Sequence, residues 1–217
     1  MSKKVYLVLL AAVLTAGYAQ AQLTFGARAG LNLTNVSVKV GNSSTSGDMK
    51  PGIQLGVVAE YSLNESFVIQ PGLLFAQQGT KTEYSYSDRG VSMKGKDKMI
   101  LNYLQIPVNA QYKVDLGGMK LLLQAGPYLG FAISGKMKGE ETFEGRKEKY
   151  DQKLEFGSDN GYYKRFDFGL GIGAGLEFGN IQVGLGYNLG LANIRSSEDN
   201  KVKNSGLALT GTYFFGK

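Results

Sequence analysis

The strongest constraint on the fold is an alternation of apolar and polar residues that recurs along nearly the whole chain. Between residues 23 and 34, leucine, phenylalanine and alanine hold the odd positions, while polar residues and glycine hold the even ones. An alternation with a period of two is typical of a β-strand with one apolar face. Beyond residue 22, no comparable stretch has the i, i+3, i+4, i+7 spacing of a helix. The pattern predicts an all-β protein.

The alternating runs are long for the strands of a water-soluble protein. Such strands have about five or six residues, whereas a tilted strand needs about 9–11 residues to cross the apolar core of a bilayer. Most of the runs have 10–14 residues, which suits a membrane. We predict eight strands, at residues 23–34, 52–63, 67–78, 101–113, 120–135, 165–178, 181–191 and 206–215.

The connections between these strands alternate strictly between short and long. The short connections are residues 64–66, 114–119 and 179–180. The long, polar connections are residues 35–50, 79–99, 136–164 and 192–203. In an antiparallel meander, every short turn then lies at one end and every long loop at the other, as in outer-membrane barrels. We therefore expect an eight-stranded antiparallel up-and-down transmembrane β-barrel with short periplasmic turns and four long extracellular loops.

A glycine-rich run at residues 168–179 raises the question of a nucleotide site, because four of its glycines fall at every second position. The dinucleotide motif G-x-G-x-x-G follows a strand and opens a helix. It would require glycine where this chain has Ala174 or Leu176. The run instead ends in glycine followed by asparagine, a tight hairpin signal. We interpret the run as barrel wall, with the glycines relieving crowding on the inward face.

The apolar face of the predicted strands carries aromatic residues near the short turns. Amphipathic aromatic rings prefer the interface between membrane and water. We therefore predict that the apolar face contacts lipid and that a belt lies at the periplasmic edge, formed by Phe25, Tyr61, Phe67, Tyr112, Phe178, Tyr213 and Phe215. A sparser second belt is predicted toward the loops, at Phe75, Phe131 and Phe166.

The opposite face carries small and polar residues that would point into the lumen. Buried charges are tolerated only when they are paired. We expect Arg28 and Lys113 to be neutralised by Glu60 and Glu177, with amides satisfying the remaining groups. Because side chains fill the bore of an eight-stranded barrel, we favour a polar plug over a path for protons or solutes. Other polar residues of this parity are Gln54, Gln70, Gln105, Asn109, Gln111, Gln124, Asp167, Gln182 and Asn188.

The N-terminus has the order of a secretory signal peptide: a basic start, an apolar stretch at residues 5–16 and small residues after it. The apolar stretch is shorter than the roughly 20 residues that a membrane-spanning helix needs. We expect residues 1–21 to be cleaved after Ala21, or alternatively after Ala19. The exported barrel domain would then comprise residues 22–217.

The chain contains no histidine and no cysteine. Their absence removes the usual Ser-His and Cys-His nucleophile pairs and the zinc sites that these residues build. Residues 136–164 hold seven Lys or Arg and seven Asp or Glu, so the charges are mixed. We therefore expect no nucleic-acid partner, no cofactor and no metal site, and we interpret this segment as a solvated loop.

The same segment, residues 136–164, is the best candidate for a contact surface with an extracellular ligand or protein. A disordered polar loop is the alternative interpretation. The candidate contact residues are the aromatic ones among its charges, namely Phe143, Tyr150, Phe156, Tyr162 and Tyr163.

Three functions stay open at this point. We expect a non-enzymatic barrel with a structural role or a binding role through its outward loops. The alternative is a barrel enzyme acting on lipid or peptide, although nothing in the spacing of Asp167, Ser134 and Tyr128 recommends them as a catalytic set. A further alternative is a soluble, lipocalin-like carrier barrel, which predicts an apolar interior.

Four segments resemble a known family. They are QPGLLFAQQGTK (residues 70–81), LNYLQIPVNAQYK (101–113), LLLQAGPYLGF (121–131) and RFDFGLGIGAGLEF (165–178). These segments are similar to the PorT-like outer-membrane β-barrel domain family of Bacteroidota. The resemblance implies a location in the outer membrane, with membrane lipid and the barrel assembly machinery as partners. The PorT branch is linked to protein secretion and gliding, and most members of the family have no assigned role.

Overall fold

The structure is a computed structural model that describes residues 23–41, 43–88, 91–143, 146–157, 159, 162–196 and 200–216. The predicted signal peptide at residues 1–21 lies outside this part of the chain. The described residues form the strands β1 (Leu23–Val40), β2 (Ser43–Ser46), β3 (Asp48–Ser62), β4 (Phe67–Asp88), β5 (Val91–Asp115), β6 (Lys120–Phe143), β7 (Arg146–Lys153), β8 (Phe166–Phe178), β9 (Ile181–Gly190) and β10 (Asn200–Phe215). None of these residues belongs to a helix long and apolar enough to cross a membrane.

Eight of the strands close into a barrel in the order β1-β3-β4-β5-β6-β8-β9-β10. Every neighbouring pair is antiparallel, and closure comes from β1 and β10, which pair from Phe25 with Phe215 to Val40 with Asn200. Closure leaves the barrel wall without a free edge, so the backbone groups of each strand bond to neighbours. The predicted eight-stranded antiparallel up-and-down barrel is confirmed.

The end of the barrel with the long loops is here called the long-loop end. Six of the eight barrel strands extend well beyond their predicted ends there, whereas β8 and β9 do not. The predicted loop at residues 79–99 is mostly a hairpin of β4 and β5, which pair out to Asp88 and Val91. Likewise, β2 and β7 form inside the predicted loops at 35–50 and 136–164. The predicted boundaries were wrong because both faces of these extensions carry polar residues, which hides the alternation while the backbone ladder continues.

At the other end, called the short-turn end, side chains hold the tight turns. The Asn64 side-chain oxygen accepts hydrogen bonds from the backbone N–H groups of Ser66 and Phe67, at 2.9 and 2.8 Å. In the β8–β9 turn, Gly179 has φ of 52°, a left-handed conformation that favours glycine. The strict separation of long and short connections is therefore present in the structure.

The glycine-rich run lies in β8, with Gly169, Gly171, Gly173 and Gly175 on the inward face. The neighbouring strand passes so close that side chains have no room. A Cβ on Gly175 would collide with the Val183 carbonyl oxygen and lie 3.0 Å from the Gly184 Cα. The interpretation of this run as barrel wall is confirmed.

We expect Gly175→Ala to lower the free energy of unfolding by about 1–3 kcal/mol, because backbone atoms rather than a flexible side chain oppose the added methyl group. Gly211→Ala is the matched control, since no heavy atom of the described residues lies within 4 Å of its added Cβ. Urea unfolding of both variants in lipid vesicles measures the difference. Equal stability of the two variants would contradict the close approach of β8 and β9.

Candidate binding pocket at the long-loop end

The seven residues predicted as an aromatic belt all lie on the outer surface of the barrel at the short-turn end. Phe67 and Tyr112 are cross-strand neighbours with ring centroids 5.0 Å apart, and Tyr213 and Phe215 lie 5.6 Å apart. Phe25 pairs with Phe215 across the closing seam. The remaining members of the belt, Tyr61 and Phe178, are also exposed. This arrangement places a ring of aromatic side chains where a membrane interface would be.

The four charged residues predicted for the lumen are all buried, with exposed fractions of 2–7%. The ammonium group of Lys113 lies between two carboxylates. Its nitrogen is 2.9 and 3.0 Å from the two Glu60 oxygens and 2.6 Å from Glu177 Oε2. One cation thus holds together two acids from β3 and β8 in the interior.

Arg28 meets the expectation in part: the charge of Glu60 acts on its guanidinium, while neutral groups accept its hydrogen bonds. It donates to Gln70 Oε1 at 2.6 Å, to Thr212 Oγ1 at 2.8 Å and to Gln182 Oε1 at 3.3 Å. Register explains the difference: Arg28 pairs with Gly56, four residues along β3 from Glu60. The amides bridge this gap, since Gln70 and Gln182 also donate to Glu60 Oε1, at 3.0 and 3.3 Å.

Only two of the three residues considered for catalysis come together. Asp167 and Tyr128 lie in the lumen, where the Tyr128 hydroxyl donates to Asp167 Oδ2 at 3.4 Å. Asn204 Nδ2 donates to the same carboxylate oxygen at 2.9 Å. Ser134 is exposed, and its hydroxyl accepts from Asn102 Nδ2 at 2.9 Å on the outer face of the sheet. The barrel wall therefore separates the serine from the other two residues.

The cavities described in the lumen have room only for a few water molecules. The larger one has a volume of about 50 Å³ and is lined by polar residues that include Arg28, Gln54 and Asn188. A second cavity of about 10 Å³ lies beside Asn32 and Asn204. Phe214, which the predicted belt does not include, fills the short-turn end with Val58 and Leu74. The described lumen is packed and polar, as expected for a plug.

An apolar cluster, here called the mouth cluster, closes the lumen at the long-loop end. Its buried members are Val36, Met99, Leu101, Tyr103, Ala132, Ile194 and Val202. This cluster was not predicted from the sequence, although a signal exists. In β1, apolar residues hold odd positions up to Leu33 and even positions from Val36 to Val40. This change of phase moves the apolar side chains from the outer face into the interior.

Loop segments lie over the mouth cluster and are joined by backbone hydrogen bonds. Phe156 bridges to Tyr163, and Tyr163 bridges to Arg195. The N–H of Lys164 donates to the Ile194 carbonyl at 2.8 Å. The aromatic residues predicted as a contact surface therefore divide into two groups: Phe156 and Tyr163 pack on the cluster, while Phe143 is exposed.

A pocket of about 320 Å³, here called the mouth pocket, opens above the mouth cluster. Strands and loops from all four long connections contribute to its wall. The apolar part of the lining is Val36, Val38, Met99, Met137, Tyr163 and Val202. A volume near 300 Å³ with a mainly apolar wall and a few polar groups is typical of a site for a small organic ligand.

Two charged residues, Asp97 and Arg195, line the mouth pocket. The Tyr150 hydroxyl donates to Asp97 Oδ1 at 2.6 Å, and this hydrogen bond raises the pKa of Tyr150 to about 12. The phenol therefore stays protonated and continues to donate its hydrogen bond to Asp97. The guanidinium of Arg195 lies 5.8 Å from the centroid of the Tyr163 ring. Among the described residues, no carboxylate lies within 4 Å of it.

This chain is similar to several solved structures over most of its length. Ail, the attachment invasion locus protein of Yersinia pestis, is 17% identical, with 89% of this chain and 99% of that chain covered and a TM-score of 0.39. An Ail complex with the heparin analogue sucrose octasulfate matches at 18% identity over 89% and 99%, with a TM-score of 0.39. Neisserial surface protein A is 14% identical over 88% and 97%, with a TM-score of 0.40. No curated protein sequence matches this chain.

The sequence model of one family covers most of the chain. It describes the outer membrane protein beta-barrel domain and matches residues 18–196. The closed barrel, its apolar outer face and the aromatic belt are features of that class of protein. The chain belongs to the outer membrane protein beta-barrel domain family, which supports a location in the outer membrane.

Proposed function

We propose that this protein is a non-enzymatic outer-membrane barrel that binds a small apolar molecule with one anionic group in the mouth pocket. In such barrels the long loops face the cell exterior, so the pocket would open to the outside. The observation that carries the proposal is the pocket itself, which has a volume of about 320 Å³, a mainly apolar wall and the guanidinium of Arg195 on that wall. Burial of apolar surface would supply affinity, and Arg195 would orient the charged end.

Several observations favour binding over transport or catalysis. The lumen below the pocket is filled by side chains, with cavities of about 50 and 10 Å³. The chain has no histidine to act as a general base. Ser134 is separated by the barrel wall from Asp167 and Tyr128. A soluble, lipocalin-like carrier would need an apolar interior, whereas Arg28, Glu60 and other polar residues fill this one.

The biological setting is a further part of the proposal. Export by the signal peptide at residues 1–21, insertion by the barrel assembly machinery and contact with outer-membrane lipid fit this family. The finer assignment to the PorT-like branch rests on the resemblance of residues 70–81, 101–113, 121–131 and 165–178. A link to secretion or to surface interactions would follow from that branch.

Binding is tested with a single tryptophan placed in the pocket, because the chain contains none. Thr82 lines the pocket and is exposed, so Thr82→Trp provides the reporter. The probe is 8-bromooctanoate, an apolar chain with one carboxylate whose bromine quenches indole fluorescence on contact. We expect saturable quenching of the reconstituted protein. Arg195→Gln should weaken it about tenfold, because a charged hydrogen bond contributes about 1.5–3 kcal/mol.

Two further variants separate pocket binding from partition into the bilayer. Met137→Asp places a charge on the apolar wall and should abolish saturable quenching. Val40→Asp is the control, because Val40 is exposed and does not line the pocket. The proposal fails if quenching does not saturate, or if Met137→Asp binds the probe as well as Val40→Asp.

A further inference from the structure

Beyond the long-loop end of the barrel, four strands continue as a sheet, here called the projecting sheet. It consists of residues 79–88 of β4, 91–100 of β5, 136–143 of β6 and all of β7. Met99, Asp97 and Met137 line the mouth pocket, which identifies one face as the inner one. Residues paired directly across strands share a face. The register therefore assigns the alternate rows to the outer face.

The outer face of the projecting sheet, here called the lysine face, is strongly basic. Three acidic residues share it: Glu83, Glu140 and Asp151. Its lysines are Lys81, Lys94, Lys96, Lys98, Lys136, Lys138, Lys147, Lys149 and Lys153. The acids of the inner rows, Asp97, Glu141 and Glu148, have no lysine beside them in those rows. The fold thus gathers the lysines of the projecting sheet on one face, although they alternate with acids along the sequence.

The acids on the lysine face already form ion pairs with lysines of the same face. Glu83 pairs with Lys96 at 3.2 Å, Asp151 pairs with Lys138 at 2.9 Å, and Glu140 pairs with Lys147 and Lys149. The other lysines of this face, Lys81, Lys94, Lys98, Lys136 and Lys153, form no ion pair within 4 Å among the described residues. Within the described part of the chain, the lysine face therefore carries more positive charge than its ion pairs offset.

The lysine face continues directly from the surface that contacts lipid. Phe75, Leu104, Phe131 and Phe166 form one cross-strand row at the upper edge of the apolar surface. On β5 and β6, the row that contains Lys136 lies four residues of β5 above Leu104, and the row of Lys98 and Lys138 lies six residues above it. These steps correspond to about 10 and 15 Å along the membrane normal for a strand tilted by about 40°.

The polar region of a bilayer extends about 5–8 Å beyond the apolar core on each side. The row of Lys136 therefore lies just beyond this region, and the row of Lys98 and Lys138 lies about 7 Å farther out than its limit. Long lysine side chains extend back toward the interface and keep the ammonium among the headgroups. The position of Arg165 also indicates that the apolar surface ends at the row that contains Phe131. Its guanidinium lies 5.8 Å from the Phe131 ring centroid and 4.7 Å from that of Phe156.

We propose that the lysine face binds the phosphate groups of anionic lipid in the outer leaflet and so fixes the projecting sheet against the membrane surface. The occupant is a phosphate-bearing lipid headgroup. Two observations select it: the charge of the lysine face and the continuity of this face with the apolar outer surface of the barrel. Attraction to an anionic surface contributes about 1 kcal/mol per lysine and decays within about 10 Å. The lysine rows nearest the upper edge of the apolar surface therefore contribute most of the binding.

The test measures lipid selectivity of the protein purified from membranes and reconstituted in phosphatidylcholine vesicles. Electron paramagnetic resonance of spin-labelled phosphatidic acid and spin-labelled phosphatidylcholine gives the ratio of their association constants at the protein surface. We expect the unmodified protein to prefer phosphatidic acid by at least about fivefold, and 0.5 M NaCl to reduce the preference. The variant Lys98→Gln/Lys136→Gln/Lys138→Gln should bring the ratio close to one.

The matched control is Lys94→Gln/Lys147→Gln/Lys149→Gln, which removes three charges from rows farther from the apolar surface. This variant should keep most of the preference for phosphatidic acid. Equal loss in both variants would overturn the proposal in favour of diffuse attraction. No loss in the first variant would also overturn it. If inorganic phosphate at matched ionic strength displaces the labelled lipid, the face binds free phosphate and the proposed occupant is wrong.

Discussion

Replacement of Lys113 by methionine is expected to lower the free energy of unfolding by about 3–5 kcal/mol, because it removes the buried cation that pairs with two buried carboxylates. Lys113 is 4% exposed and is the cation between Glu60 and Glu177, at 2.9 and 2.6 Å. Without it, two carboxylates face each other inside a closed wall. Urea unfolding in lipid vesicles, followed by tyrosine fluorescence or circular dichroism, measures the loss.

A double variant identifies the cause of that loss. In Lys113→Met/Glu60→Gln, one negative charge on Glu177 and one positive charge on Arg28 remain in the cluster. We expect this variant to recover more than half of the lost stability. Lys39→Met removes an exposed lysine and should change stability by less than about 0.5 kcal/mol. If the double variant is no more stable than Lys113→Met, charge imbalance is not the reason for the defect.

Arginine in place of Ile172 is expected to cost about 2–4 kcal/mol in a bilayer, because this position faces the middle of the apolar core. Ile172 is 63% exposed and lies midway along β8 between Phe166 and Phe178, the two aromatic ends of the strand. The cost is the desolvation of a guanidinium in lipid. The measurement is the free energy of unfolding in vesicles with acyl chains of one defined length.

Depth is the variable that the control must change. Ser85 is also exposed and lies on the outer face, but it belongs to the projecting sheet, beyond the apolar surface. Ser85→Arg should therefore cost less than about 1 kcal/mol. A water-soluble barrel would tolerate arginine at both positions. Equal stability of the two variants would contradict the assignment of the outer face to lipid.

The sequence predicted the barrel well because its strongest signal is local. Which face of a strand a residue occupies depends only on its parity, so the exposure of Phe25 and the burial of Arg28 follow from a short window. The positions of the short turns follow in the same way from local turn residues such as Asn64 and Gly179. The ends of the strands beyond the membrane were missed where polar residues occupy both faces.

The candidate pocket could not be predicted from such local patterns. It combines Val36 of β1, Met99 of β5 and Val202 of β10 with Tyr163 and Arg195 from loops. Residues 192–203 and 79–99 were predicted to be polar loops, so their apolar residues were not assigned to either face of a strand. The change of apolar parity after Asn35 was the available signal, but it becomes informative only when the strand is known to continue.

The sequence alone determined that this protein is a barrel with an apolar exterior, a polar interior and two unlike ends. It did so because alternation, run length and turn chemistry are properties of neighbouring residues. Only the tertiary structure decided which charges meet in the lumen, how loops cover the mouth cluster and how the lysines gather on one face. These features depend on strand register and on closure of β1 against β10, which bring together residues as distant as Arg28 and Thr212.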